Sequence, residues 1–262
     1  MSLNVSNLIQ RYVPGAVCAL LFILILWPLV AGTNLLATNS QQLQLLIAFL
    51  TPIAMLLTAN DYLQQKLNIR SLALIAIFVS LAIALRPLGL GVAGLEPIWV
   101  AIIMAGYTLG ISSGFTVGAL SLFLSAIATG GVGPWLGNQM VLAALIGAGA
   151  GVVRTVHESR LILTCYSFVV TYLFGWFMNL WFWPTFSNLQ SAIAFNPADS
   201  IVDRTLAWAR FSFFTSTGFD LPRALLTATL VWMVSPRIKS AVQRLNAPST
   251  HPKVSKSNAS SP

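Results

Sequence analysis

From Pro97 to Val153 the chain runs for 57 residues without an Asp, Glu, Lys or Arg. At about 20 residues per bilayer crossing, that run holds more than one transmembrane helix and leaves no stretch for a water-facing surface. A second run, Tyr12 to Asn60, is equally free of charge. Of 262 residues 56% are hydrophobic and 8% charged, an apolar load that would overwhelm a globular surface, so lipid is the main solvent.

The first apolar run, Val13 to Val30, is longer than a signal-peptide core, lacks a small-x-small cleavage site and is followed by further spans, so it reads as a retained helix. Cys18 and Cys165 both fall inside apolar spans, where they act as small hydrophobes and offer neither a disulfide framework nor a metal spacing. The net charge of +8 does not point to nucleic acid, because the basic residues are dispersed at span ends and in the tail rather than interleaved with aromatics.

Turn chemistry and polar breaks divide the chain into spans at 13–36, 43–59, 71–86, 97–111, 114–129, 137–153, 161–183 and 205–235. The fold expected is all-α, a polytopic transmembrane bundle of about eight helices. The breaks are Thr33 to Gln42, Asn60 to Arg70, Arg86 to Glu96, Ile111 to Gly114, Gly130 to Trp135, Arg154 to Arg160, and Pro184 to Arg204, none large enough for a folded extramembrane domain. With a cytoplasmic N-terminus, the inside segments collect Arg11, Lys66, Arg70, Arg154, Arg160, Arg237, Lys239, Arg244, Lys253 and Lys256, ten of fourteen basic residues, against only Asp61 and Glu158. Outside fall Arg86, Arg204 and Arg210 with Glu96, Asp199 and Asp203. The positive-inside asymmetry predicts that both termini face the cytoplasm, and the location expected is the cell membrane. The Ser/Pro/Lys tail reads as disordered.

Little in the chain supports catalysis. No G-x-x-x-x-G-K-[ST] loop is present, and none of the four lysines follows a glycine, so the chain is not itself an ATPase. His157 and His251 lie outside the spans and no metal cluster or histidine triad can assemble; no cofactor is expected. Six acidic residues are few for a membrane hydrolase.

Three groups of residues stand out. Asp220 and Arg223 form the one acid–base pair inside an apolar span, spaced i, i+3, with Pro222 between them expected to kink the helix. They read either as a self-satisfied ion pair that locks the helix or as a ligand-facing site. At the outer span ends, Arg86 and Glu96 bracket one Gly-rich loop, Trp135, Asn138 and Gln139 follow another, and Asn179, Trp181 and Trp183 end the seventh span. Converging, they would make an aromatic-walled pocket with polar hooks; the tryptophans equally fit an interfacial aromatic belt. Small residues are the third group: Ala76, Ser80 and Ala84 form a small-xxx-small ridge, as do Gly147 and Gly151, and Gly106, Gly110, Gly114 and Gly118.

Taken in order, Arg86-Pro-Leu-Gly, Gly94-Leu-Glu-Pro97, Thr129-Gly-Gly-Val-Gly-Pro-Trp135, Gln139-Met140, Asn179-Leu-Trp-Phe-Trp-Pro184 and Asp220-Leu-Pro-Arg-Ala224 resemble the substrate-binding S-components of energy-coupling factor vitamin transporters. They resemble in particular an actinobacterial type with two extra N-terminal helices. The resemblance implies two N-terminal helices in 1–69, a six-helix binding core in 70–237 and a basic tail in 238–262. It also implies a transmembrane coupling subunit and two cytoplasmic ATPase subunits as partners. Ala76, Ser80 and Ala84 would match the family's coupling-subunit contact. Arg86, Glu96, Trp135, Asn138, Gln139, Asn179 and Trp183 would fall on its pocket loops, with Asp220 and Arg223 beside them. The vitamin expected first is cobalamin or a related corrinoid, while relatives handle riboflavin, pantothenate, a thiamine precursor or a queuosine precursor. A stand-alone permease and a ligand-free membrane scaffold are the competing expectations.

Overall fold

A computed structural model of the chain describes residues 19–30, 49–57, 69–89, 94–186 and 191–246. All regular structure among the described residues is helical. The main helices are α1 (Ile69–Leu85), α2 (Ile98–Leu109), α3 (Ile111–Thr129), α4 (Leu136–Val156), α5 (Arg160–Phe182) and α6 (Ile201–Asn246), preceded by helical stretches at 19–25, Trp27–Val30 and 49–57. Four segments, Ile69–Gly89, Ile111–Thr129, Leu136–Val156 and Arg160–Thr185, are long and apolar enough to cross a bilayer. Large apolar side chains such as Ile77, Ile127, Val169, Phe214 and Leu225 are exposed around the bundle, a surface suited to lipid and not to water. The protein is a helical membrane bundle.

At the centre stands α2. Eleven of its twelve residues, Ile98 to Thr108, are buried, against α1, α3, α4 and α6. That burial on all sides is what an apolar helix without a polar face requires. At roughly 1.5 Å per residue it is about 18 Å long, too short to cross a bilayer alone. The break expected at Ile111 to Gly114 is a single residue, Gly110; Ile111 to Gly114 already belong to α3. Gly110 turns the chain at φ +101°, a conformation that side-chain-bearing residues rarely adopt. The reversal returns Gly114 to Gly106, and a Cβ on either would collide with the carbonyl of Gly147 on α4. The glycine ridges thus interlock with one another inside the bundle. In contrast, Ala76, Ser80 and Ala84 lie on the exposed face of α1, opposite its buried Leu74, Phe78 and Ala82.

Residues expected to form a tail from position 238 instead continue α6 to Asn246, with Val242 buried and Lys239 paired to Glu158 at 2.7 Å. The helix runs on through both Pro222 and Pro236. A helix-interior proline leaves the carbonyl four residues earlier without its amide partner, and for Pro236 that carbonyl belongs to Trp232. Arg160, at the start of α5, supplies the missing donor: its Nε donates to the Trp232 carbonyl at 2.8 Å, Nη2 donates to the same oxygen, and the guanidinium lies 3.8 Å over the Trp232 ring.

The N-terminal stretches pack onto this core. Leu21, Ile25 and Met55 join the main apolar cluster, Phe22 meets Phe177 edge-on at 5.4 Å, and Gly137 has no room for a Cβ beside Thr51 and Pro52. Residues 1–18, 31–48, 58–68, 90–93, 187–190 and 247–262, with the span, loop and tail expectations made for them, lie outside the described residues.

Candidate functional site

The two ends of the bundle differ in chemistry. At one end Arg154 Nη1 donates to the Thr108 carbonyl at 2.6 Å, and the Glu158–Lys239 pair closes the turn between α4 and α5 against α6. Towards the other end lies a cavity of about 510 Å³ between α4, α5 and α6, a size suited to a small organic ligand.

One α5 stripe lines it with Phe174, Gly175, Met178, Asn179 and Phe182, spaced as one face of a helix. A facing α6 stripe contributes Phe211, Thr215, Phe219, Asp220 and Arg223, while Gln139 comes from α4. Glu96 enters from the segment before α2 because Gly94 brings the backbone close. Gly94 has φ +75°, and a Cβ there would collide with the Phe219 carbonyl of α6. Two residues on, Glu96 is delivered to Arg223.

The resulting charge cluster has one cation and two anions. Arg223 Nη1 donates to Asp220 Oδ1 at 2.5 Å, and its Nε donates to Glu96 Oε2 at 3.0 Å. Nη2 lies 3.5 Å from Glu96 Oε1, and Trp99 Nε1 also donates to Glu96 Oε2 at 2.9 Å. The Asp220 side chain is 2% exposed, Arg223 10% and Glu96 37%, so charge is most accessible at Glu96. Phe174 lies 5.5 Å from the guanidinium and 4.3 Å from Trp99, which walls the cluster with rings. Gly175 makes space for it: a Cβ at that position would occupy the place of the Asp220 carboxylate. Further along, Asn179 Nδ2 donates to Ser216 Oγ at 3.0 Å, and Ser216 donates onward to the Ser212 carbonyl at 2.9 Å.

Of the nine candidate pocket residues, the cavity gathers Glu96, Gln139, Asn179, Asp220 and Arg223. The others do not line it. Arg86 turns to α3, donating to Ser125 Oγ at 2.6 Å and the Leu122 carbonyl at 3.2 Å. Trp135 packs 6.2 Å from Phe182, and Asn138 is buried within α4. Trp183 is fully buried, donates to the Ile193 carbonyl at 2.9 Å and packs on Phe195 at 5.1 Å, as a structural anchor for the segment after α5. Trp181 is also buried. Sequence reasoning missed the aromatic wall of Phe174, Phe182, Phe211 and Phe219. Its signal was the i, i+4, i+8 spacing of Phe174, Met178 and Phe182 on α5, and of Phe211, Thr215 and Phe219 on α6. Among the described residues no three His, Cys, Asp or Glu side chains gather as a metal site. No protein-family model, curated protein or solved structure matches this chain.

Proposed function

We propose that this protein is the substrate-binding membrane subunit of an energy-coupling factor importer, with about eight spans, both termini cytoplasmic and the aromatic cavity opening toward the outer face. The observation that carries the reading is the cavity itself, a site of about 510 Å³ with four phenylalanines, two amides and one charge cluster at a single end of the bundle. Apolar walls with a few convergent polar groups are the usual make-up of a small-molecule site. Two further features fit. The chain carries no phosphate loop, so energy would come from partner ATPases. Its Ala76–Ser80–Ala84 ridge stands exposed on α1, where a coupling subunit could approach closely, while the glycine ridges are used up inside.

The cavity suits a vitamin of one to three rings. A corrinoid, with its macrocycle and attached nucleotide, would project through the open mouth. The test is purification of the full chain from its native membrane, with identification of co-purifying subunits and mass spectrometry of retained small molecules. A coupling subunit, two ATPases and a bound vitamin are expected. A chain that takes up solute after deletion of the ATPase genes would instead be a stand-alone permease.

A further inference from the structure

The cavity has unsatisfied acceptors. Asp220 Oδ2 and Gln139 Oε1 are both buried without a hydrogen-bond partner among the described residues, and both residues line the same cavity. A buried unsatisfied polar atom is uncommon in a native structure and calls for a partner such as a water or a ligand. Ser216 donates its hydroxyl proton to the Ser212 carbonyl and accepts from Asn179. Arg223, which also lines the cavity, is paired with two carboxylates. With Glu96 and Asp220 against Arg223, the charged groups in the wall sum to one net negative charge. Arg86, another cation at this end, is held by α3, and neither it nor Arg204 nor Arg210 lines the cavity.

We infer that the cavity selects a flat, aromatic, donor-rich ligand, neutral or cationic with adjacent N–H groups such as an amidine or aminopyrimidine, and disfavours carboxylates and phosphates. The N–H groups meet Asp220 and Gln139, while the ring lies among Phe174, Phe182 and Phe219. A ligand carboxylate would instead face a wall of one net negative charge and the acceptor oxygens of Asp220 and Gln139 in a site of low dielectric, where such mismatches are costly. The inference rests on the small-molecule reading of this cavity and adds its substrate class.

The test compares two probes of equal size and opposite polarity, benzamidinium and benzoate, binding to the full-length protein in lipid nanodiscs by calorimetry. Benzamidinium is expected to bind at least ~10-fold more tightly, the discrimination due to a charge-assisted hydrogen bond. Asp220→Asn should bring the two affinities together. If that variant does not fold, Gln139→Leu provides the second comparison, weakening benzamidinium several-fold and leaving benzoate unchanged. Equal or tighter benzoate binding, or no measurable benzamidinium binding to the wild-type chain, overturns the inference. Benzamidinium preference in a protein that purifies without ATPases supports the inference while removing the importer reading. An assembled importer holding a carboxylate vitamin in this cavity overturns the inference and leaves the importer reading standing.

Discussion

Arg223 is the residue on which the site depends, because it pairs with two carboxylates that come from different parts of the chain. Removing one partner of a buried pair leaves the other charge uncompensated, at a cost of about 3–5 kcal/mol. Arg223→Met is therefore expected to lower the thermal unfolding temperature sharply in detergent, and Arg223→Met with Asp220→Leu to recover most of the loss. The pair itself was legible from sequence, since i, i+3 spacing puts both groups on one helix face. Glu96 as its third member was not. A contact across 127 residues depends on the close approach of Gly94 to α6, and backbone proximity leaves no mark in local spacing. Trp183 shows the converse. Its position at a span end suited either an interfacial belt or a ligand contact, and its fully buried ring, bonded to the Ile193 carbonyl, serves neither.

Among the elements, α6 and α1 make the sharper predictions. Arg160 satisfies the Trp232 carbonyl that Pro236 leaves open, so Arg160→Leu should cost about 1–2 kcal/mol, the worth of a charged hydrogen bond near a surface. In Pro236→Ala the restored amide can take over that carbonyl, and the same Arg160→Leu change should then cost clearly less, measured by a double-mutant cycle on unfolding. On α1, Ser80→Leu adds bulk to an exposed ridge and leaves the core untouched. It should abolish co-purification of a coupling subunit with ligand binding retained, and loss of both would indicate misfolding instead. Helix existence was readable because long apolar runs have few alternatives in lipid. Helix ends were not: a one-residue turn at Gly110 replaces the longer break that Ser112, Ser113 and Gly114 suggested, since hydroxyls inside lipid can bond back to their own helix, as Thr116 does to the Ser112 carbonyl.

For the whole molecule, the order of helices and the membrane setting followed from composition, whereas the packing of the N-terminal stretches on the core followed from shape: Phe22 on Phe177, and Thr51 over Gly137. The end opposite the cavity has its own sensitivity. Lys239, by hydrogen bond and charge, holds the Glu158 carboxyl below its usual range. A carboxyl with a lowered folded-state value contributes attachment that is complete above the ordinary glutamate pKa of about 4.3 and is lost as pH falls through the lowered value. A spin label at Ala241 should become more mobile through that acid window, and Glu158→Gln should show the mobile spectrum already at neutral pH. Asp220 and Lys239 are carried by the same unbroken helix, and nineteen residues at 1.5 Å each separate them by about 28 Å. A twist imposed on α6 at the cavity would pass along this helix to the Glu158 turn, and ligand addition is expected to change the mobility of the label at Ala241.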